Sequence, residues 1–374
     1  MSSGASLPAT FPLTLLPLLS WTVYQVGHAL HRALRDGRVS RSDLFITSKL
    51  WGAADIVVRA AKLAAEPTTS KHEFTAVTTP RCLAGETTGL STLTAAIRGA
   101  CVRSLRALRI DQLDLYLMHW PPADDDMLIL AWRAMEMVVA EGLVKSIGVA
   151  NYSRRRLQLL IDRAGDAANQ DKSPENSLVS SVPMAPAVNQ VEAHPGFRND
   201  ALIAFCKARG VHVTAYCPLG GAPSRTVKAS SGGLLSSLRV VESASRLRCT
   251  PAQALLLWGV WRGCSVIPKS EHPVRVRENT ATLITPPGAK DRMRVTAGKS
   301  CHNATSEGNQ PYGTPAAEES RLSAIIQEAL VKLDDLQPQT RSVLGENFVG
   351  GGKLGSSRFA SLAALWEDEV GSTT

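Results

Sequence analysis

The chain lacks paired cysteines, an unbroken apolar stretch of membrane length, and a concentrated run of basic charge. Seven cysteines are scattered through 374 residues with no CxxC pair among them. An odd, dispersed set argues against a disulfide framework and a zinc site; it implies reduced thiols, so the cytosol is the expected location and no metal is expected. The apolar run Phe11 to Val23 contains two prolines and has no Lys or Arg before it. It is too short to span a bilayer and lacks the charged start of a secretory signal, so no membrane partner is expected. Aromatic residues make up 5%, and the 41 basic residues against 33 acidic ones give a net charge of +8. The basic residues are dispersed with few aromatics among them, which fits a solvated surface rather than a nucleic-acid groove.

What is present is an α/β rhythm. Hydrophobic residues form 44% of the chain, enough for a sizeable core. Helical periodicity over Val26–Gly37 leads to a strand at Asp43–Lys49, and an amphipathic helix over Leu93–Ile110 leads to a strand at Asp114–Trp120. The next helices and strands are Leu130–Glu141 with Val144–Asn151, Tyr152–Ala164 with Ala187–Ala193, Asn199–Gly210 with Val211–Gly220, and Pro251–Gly263 with Cys264–Ser270. Helix then strand, repeated, predicts a parallel sheet, and short apolar strands are what helices on both faces require. Six strands make a (β/α)₈ TIM-type barrel two strands short, its first one or two strands unrecognisable at the N-terminus.

Three stretches break the rhythm: near residues 64–89, 166–186 and 281–318, all rich in Thr, Ser, Pro, Ala and Gly. That composition predicts disordered inserts. The expected organisation is a disordered segment over 1–25, a barrel over 26–345 with those inserts, and a flexible Gly-rich tail over 346–374. A helix at Ser320–Leu336 is expected to pack across a barrel end.

In such a barrel the C-terminal ends of the strands converge on one mouth, where the chemistry sits. Those ends offer Lys49, His119, Asn151, Gln190 with Glu192, Tyr216, and Lys269 with Ser270. Hydrogen-bonding groups at six of six strand ends favour a functional reading over a structural one.

The stretches FITSKLW (Phe45–Trp51), LDLYLMHWP (Leu113–Pro121), GLVKSIGVANY (Gly142–Tyr152), VNQVEAHP (Val188–Pro195), VTAYCPLG (Val213–Gly220) and VIPKSEHPVRVREN (Val266–Asn279) together resemble the aldo-keto reductases. The resemblance covers about Val26 to Asn279 apart from the inserts. It implies a (β/α)₈ barrel that reduces aldehydes or ketones with NADPH, without metal or flavin, as a monomer acting on a small carbonyl compound. By resemblance Lys49 lowers the pKa of a catalytic tyrosine and His119 orients the carbonyl. Tyr216 stacks on the nicotinamide, Asn151 and Gln190 hold its carboxamide, and Leu219 joins the cofactor set. Lys269, Ser270, Arg275, Glu278 and Asn279 grip the adenosine end, where the cation pair Lys269 and Arg275 suits a 2′-phosphate and favours NADPH over NADH. Ala150 stands where the family usually has a serine; the missing hydroxyl should weaken binding by about 1 kcal/mol.

One departure is larger. The family places an aspartate and, five residues later, the tyrosine upstream of the segment matched by Val26 and Gly27. Ungapped alignment puts Leu15 and Ser20 there, and neither can do the job. A deletion after Gln25 would bring Tyr24 into place, with Leu19 where the acid belongs. The Phe, Pro, Leu and Ser of residues 11–25 read like a translated polypyrimidine tract, which makes residues 1–25 a candidate gene-model artefact. The alternative to a reductase is an NADPH-binding protein of the same fold without turnover.

Overall fold

The structure, a computed structural model, describes residues 17–51, 86–122, 124–170, 183–220, 233–284, 315–334 and 336. The chain divides into two compact units, residues 1–148 with 163–185, and residues 149–162 with 186–374. The described strands are β1 (Thr47–Leu50), β2 (Leu113–Met118), β3 (Val144–Ala150), β4 (Val188–Glu192), β5 (His212–Tyr216) and β6 (Ser265–Val266). They follow one another in sheet order as in sequence. Pairing is parallel for β1 on β2, β3 on β4, β4 on β5 and β5 on β6. Helices alternate with these strands, the α/β class expected, with two strands fewer than a full (β/α)₈ barrel among the described residues.

In the first unit, α1 (Pro17–Arg35) packs on α2 (Glu86–Leu108), and α2 packs on α3 (Asp125–Ala140). Residues Ile97, Cys101, Leu105 and Leu108 recur at helical spacing on α2 and are buried, which gives that helix its inner face. Asp124 starts α3 by accepting a hydrogen bond from the Met127 amide at 2.8 Å, satisfying an otherwise orphan donor. The α1–α2 contact rests on Gly27, where an added Cβ would lie 2.0 Å from the Ala107 carbonyl oxygen. All six residues of β2 are buried, including Asp114. That carboxylate accepts from Lys145 and Arg41 and from the Ile46 amide, each at 2.8 Å. Burial pushes its carboxyl up, but these hydrogen bonds outweigh the burial and hold it below the ordinary value. Glu136 on α3 is likewise buried and takes Arg163 at 2.8 and 3.1 Å and the Met184 amide at 3.0 Å.

In the second unit, α6 (Leu238–Arg246), α7 (Pro251–Trp261) and α9 (Pro315–Asp334) enclose a core of Val240, Ala244, Leu255, Trp258, Ala329, Leu330 and Leu333. Trp258 Nε1 donates to Asp334 Oδ1 at 2.8 Å, and Ser243 Oγ donates to the Ala329 carbonyl at 2.9 Å. The remaining helices are α4 (Arg154–Gln170), which crosses between the units, α5 (Asp200–Ala208) and α8 (Pro273–Ile284).

Several expectations shift. Helix α1 runs unbroken through Val26, so residues 17–25, expected to be disordered, are helical; residues 1–16 lie outside the described residues. Helix α2 begins at Glu86, α4 ends at Gln170, α8 ends at Ile284 and α9 begins at Pro315, so helices enter all three expected inserts from their edges. The interiors of those inserts and the 346–374 tail lie outside the described residues. The C-terminal helix seats its Ala329–Leu330–Leu333 stripe on α6 and α7. Helix α6 was not anticipated from the sequence; its nine residues follow a Ser- and Gly-rich stretch that masks the period.

Candidate functional site

In the first unit, period-2 alternation decides what each strand residue faces. Lys49 is in register with Leu117, and Ser48 with Tyr116. Tyr116 lies against α2, where burial, followed by the field of Cys101, raises its phenol and the Ser104 hydroxyl opposes the rise. Lys49, Leu117 and, two residues on, His119 therefore point to the opposite face of the sheet. The His119 amide donates to the Leu50 carbonyl at 3.3 Å, which continues the ladder past the end of β2. The His119 ring meets the edge of Trp51 at 4.7 Å and stacks by Trp120 at 6.2 Å.

These surroundings set the charges. Burial, and after it the Lys49 ammonium, pull the His119 imidazole down to about 3, so the ring is neutral across the physiological range. Burial also lowers Lys49. Lys49 forms no hydrogen bond or ion pair with any described residue.

The chain has five tyrosines. In the first unit Tyr24 is 51% exposed on α1, the helix that packs on α2, and Tyr116 is turned away from Lys49. Tyr152 and Tyr216 belong to the second unit, and Tyr312 lies outside the described residues. The Leu15 and Ser20 positions, where an aspartate and a tyrosine were sought, offer no described side chain.

In the second unit, β3 ends at Ala150, which is buried, and Asn151 turns the chain with φ +64°. Asparagine tolerates this left-handed conformation better than most residues. Its amide donates to the Gln190 carbonyl at 3.0 Å, and its side-chain Oδ1 accepts from the Tyr216 hydroxyl at 2.8 Å. Asn189 braces the same turn: Nδ2 donates to the Tyr152 carbonyl at 3.0 Å and Oδ1 accepts from the Tyr152 amide at 3.4 Å. Gln190 is buried on β4, in register with both Ala150 and Thr214. The structure thus brings together Asn151, Gln190 and Tyr216, three residues expected to hold one ring of a cofactor.

Glu192, the other strand-end residue of β4, is fully buried and in register with Tyr216. Its Oε1 lies 2.9 Å from His194 Nε2, while His194 Nδ1 is buried without a described partner. His194 is a residue that sequence reasoning missed. Its signal was the spacing of two from Glu192, which keeps both side chains on one side of an extended segment. Leu219 is half buried against the α6–α7–α9 core. Gly220 follows with φ +90°, and a Cβ there would lie 2.8 Å from Leu234, so the turn after β5 requires glycine.

The predicted adenosine-end residues cluster at the start of α8. Lys269 Nζ pairs with Glu271 at 2.6 Å with both side chains exposed, and Ser270 Oγ accepts from the His272 amide at 3.1 Å. The Lys269 ion pair pulls the Glu271 carboxyl below its ordinary value, beginning with the direct hydrogen bond. Arg275 is exposed and Asn279 is buried. A capping box at Thr250 and Gln253 starts α7, and Gln253 Nε2 reaches the Glu278 carbonyl at 3.0 Å, tying α7 to this segment. No group of three metal-ligating side chains occurs among the described residues, and none of their helices is long and apolar enough to cross a membrane.

Comparison with known proteins matches residues 22–292 to the model of the Aldo/keto reductase family. The match begins four residues ahead of Val26 and covers most of the chain. "Aldo-keto reductase family 4 member C11" of Arabidopsis thaliana is 31% identical over 275 residues, 69% of this chain and 68% of that protein. "Aldo-keto reductase family 1 member A1-A" of Danio rerio is 31% identical over 68% of each chain. A solved aldose reductase from Schistosoma japonicum aligns at 28% identity with TM-score 0.49, covering 74% of this chain and 76% of that one. The extent of the family match and the two reductases of Arabidopsis thaliana and Danio rerio establish that the chain belongs to the aldo/keto reductase family, whose members support oxidoreductase activity on carbonyl compounds in general.

Proposed function

We propose that the protein reduces aldehydes or ketones to alcohols with NADPH. The observation that supports this most directly is the hydrogen bond from Tyr216 to Asn151. It orients the Asn151 amide and holds the Tyr216 ring at the end of β5, an arrangement suited to a flat carboxamide-bearing ring. Gln190 adds a second amide beside Asn151. When bound, the reduced nicotinamide would supply the hydride. Lys269 and Arg275 suit a 2′-phosphate because both are exposed cations, although Glu271 already shares Lys269. Ser270, Glu278, Asn279 and Leu219 complete the proposed cofactor set.

Hydride addition builds negative charge on the carbonyl oxygen, which a preorganised donor must meet. A neutral His119 donates a hydrogen bond without titrating, and the aromatic wall of Trp51 and Trp120 lowers the local dielectric. We further propose a monomer working in the cytosol.

The test is titration with NADPH and NADH, followed by addition of an aldehyde. NADPH binding tighter than NADH, with oxidation on aldehyde addition, supports the reading, and Arg275→Met should erase the preference. Equal affinity for both cofactors rules out the phosphate role. Binding without oxidation favours the second reading, a cofactor-binding protein without turnover, for which the specific observation is that Lys49 has no tyrosine partner among the described residues.

A further inference from the structure

A phosphate recognised by Lys269 and Arg275 would meet a segment that also carries negative charge. From the end of β6 into α8 the chain places Lys269, Glu271, His272, Arg275, Arg277 and Glu278, all within the second unit. Glu278 is half-buried, and its carbonyl accepts from Gln253 Nε2 at 3.0 Å. The Glu271 carboxylate instead takes the Lys269 ammonium, with Oε1 2.6 Å from Nζ. Between the two, Ser270 Oγ accepts from the His272 amide at 3.1 Å. The hydrogen bond from Lys269 holds the Glu271 carboxyl below its ordinary value, so the carboxylate is charged at neutral pH. Arg275, in the first turn of α8, is exposed.

We infer that Glu271 is a specificity-determining residue that works against the 2′-phosphate: by occupying Lys269 it narrows the preference for NADPH over NADH. This rests on the reading above that Lys269 and Arg275 receive that phosphate. A phosphate monoester carries about −1.5 to −2 charge at neutral pH. To reach Lys269 it must displace the carboxylate, breaking a charge-assisted hydrogen bond, or share the ammonium with an anion held beside it. Either course weakens its binding. A ribose with a free 2′-hydroxyl brings no charge to that point and meets neither obstacle, so the carboxylate acts on one cofactor and spares the other. A residue that excludes the competing ligand by like charge sets selectivity as directly as one that attracts the favoured ligand. The side chains of Lys269 and Glu271 are 80% and 86% exposed, so water screens the pair and the effect is modest. It narrows the margin that Arg275 and Lys269 create without reversing it.

Binding alone tests this, with no turnover required. NADPH and NADH are titrated at one neutral pH into the full chain and into the variants Glu271→Gln and Glu271→Asp, following cofactor fluorescence. Glu271→Gln should tighten NADPH by about two- to fivefold, the range of an exposed charge pair. NADH affinity should stay at the wild-type value, which also checks that the variant is folded. Glu271→Asp keeps the charge and should keep the wild-type margin between the cofactors. Adenosine 2′-phosphate should gain as NADPH does in Glu271→Gln, and adenosine 5′-phosphate should not, which locates the effect at the 2′ position. A wild-type preference for NADPH that Glu271→Gln leaves unchanged overturns the inference alone. Equal tightening of NADPH and NADH also overturns it, as does a Glu271→Asp variant that binds NADPH as tightly as Glu271→Gln. If wild type and Glu271→Gln both bind the two cofactors equally, the phosphate role of Lys269 and Arg275 falls, and the inference falls with it.

Discussion

Replacing Gly27 by alanine tests whether α1 is docked as described. In the wild-type geometry the new Cβ would sit 2.0 Å from the Ala107 carbonyl oxygen, 2.9 Å from Leu108 Cα and 3.0 Å from Ala107 C. All three are backbone atoms of α2, which cannot rotate away as a side-chain tip would. Reaching an ordinary 3.4 Å contact needs α1 and α2 to separate by about 3.4 − 2.0 = 1.4 Å. Overpacking of this kind costs about 1–3 kcal/mol. Alanine's better helix propensity opposes it by about 0.8–1 kcal/mol, so clash and propensity leave a net loss of up to about 2 kcal/mol. Gly99→Ala on α2 is the control, since its Cβ would meet only the tip of Arg103 at 3.4 Å. Propensity then acts alone, and that variant should gain up to about 1 kcal/mol. Native-state hydrogen exchange of the α1 amides is the assay, because it reads opening of one helix without assuming that a chain of two units unfolds in one step. Gly27→Ala should speed α1 exchange by up to about 30-fold and Gly99→Ala should not. Equal protection of α1 in Gly27→Ala and wild type would refute the α1–α2 contact.

Other outcomes follow from the charges and the core. The His119 ring signal in NMR should show no titration between about pH 5 and 8, because its folded value near 3 lies below the unfolded 6.5. The same depression makes the neutral ring stabilising above 6.5, with that contribution lost as pH falls from 6.5 toward 3; a His119→Gln variant should show a shallower loss of stability over that window. Asp114→Asn should destabilise the first unit by about 1–2 kcal/mol, toward the low end for a charged hydrogen-bond set because Arg41 and Lys145 are 31% and 54% exposed. Asp114's carboxyl is held below 3.8, so its contribution is complete above that value and lost as pH falls through the folded one; denaturant curves for the two proteins should converge in acid. Leu333→Ala should cost about 2–5 kcal/mol in the second unit, since Leu333 is fully buried between α9 and its neighbours; a loss under about 1 kcal/mol would show that α9 is not seated there. Tyr216→Phe removes one hydrogen bond to Asn151, worth about 1 kcal/mol, and should weaken NADPH about fivefold; unchanged binding would detach Asn151 and Tyr216 from the cofactor.

Much of the fold was legible in the chain because strands covered on both faces are continuous apolar runs and helices are not. Lys49 and His119 stood out for a related reason: each is a polar residue ending an apolar strand, and alternation alone puts Lys49 on one side of its sheet and Tyr116 on the other. Helix ends were less legible. The residues of α2 before Leu93 and of α9 before Ser320 are Thr-, Gly- and Ala-rich, and local composition cannot tell a helix extended by packing from a loop.

By itself the sequence determined the α/β order and the strand-end positions of the candidate site, because these depend on periodicity and spacing along the chain, while the family followed from the motifs it resembles. Only tertiary structure decided which of those residues meet. The Tyr216–Asn151 hydrogen bond and the three donors on Asp114 join residues separated by 31 to 73 positions, and register between strands brings them together. The same is true of Lys49: that the half-buried ammonium meets no carboxylate among the described residues depends on what surrounds it in space, not on its place along the chain.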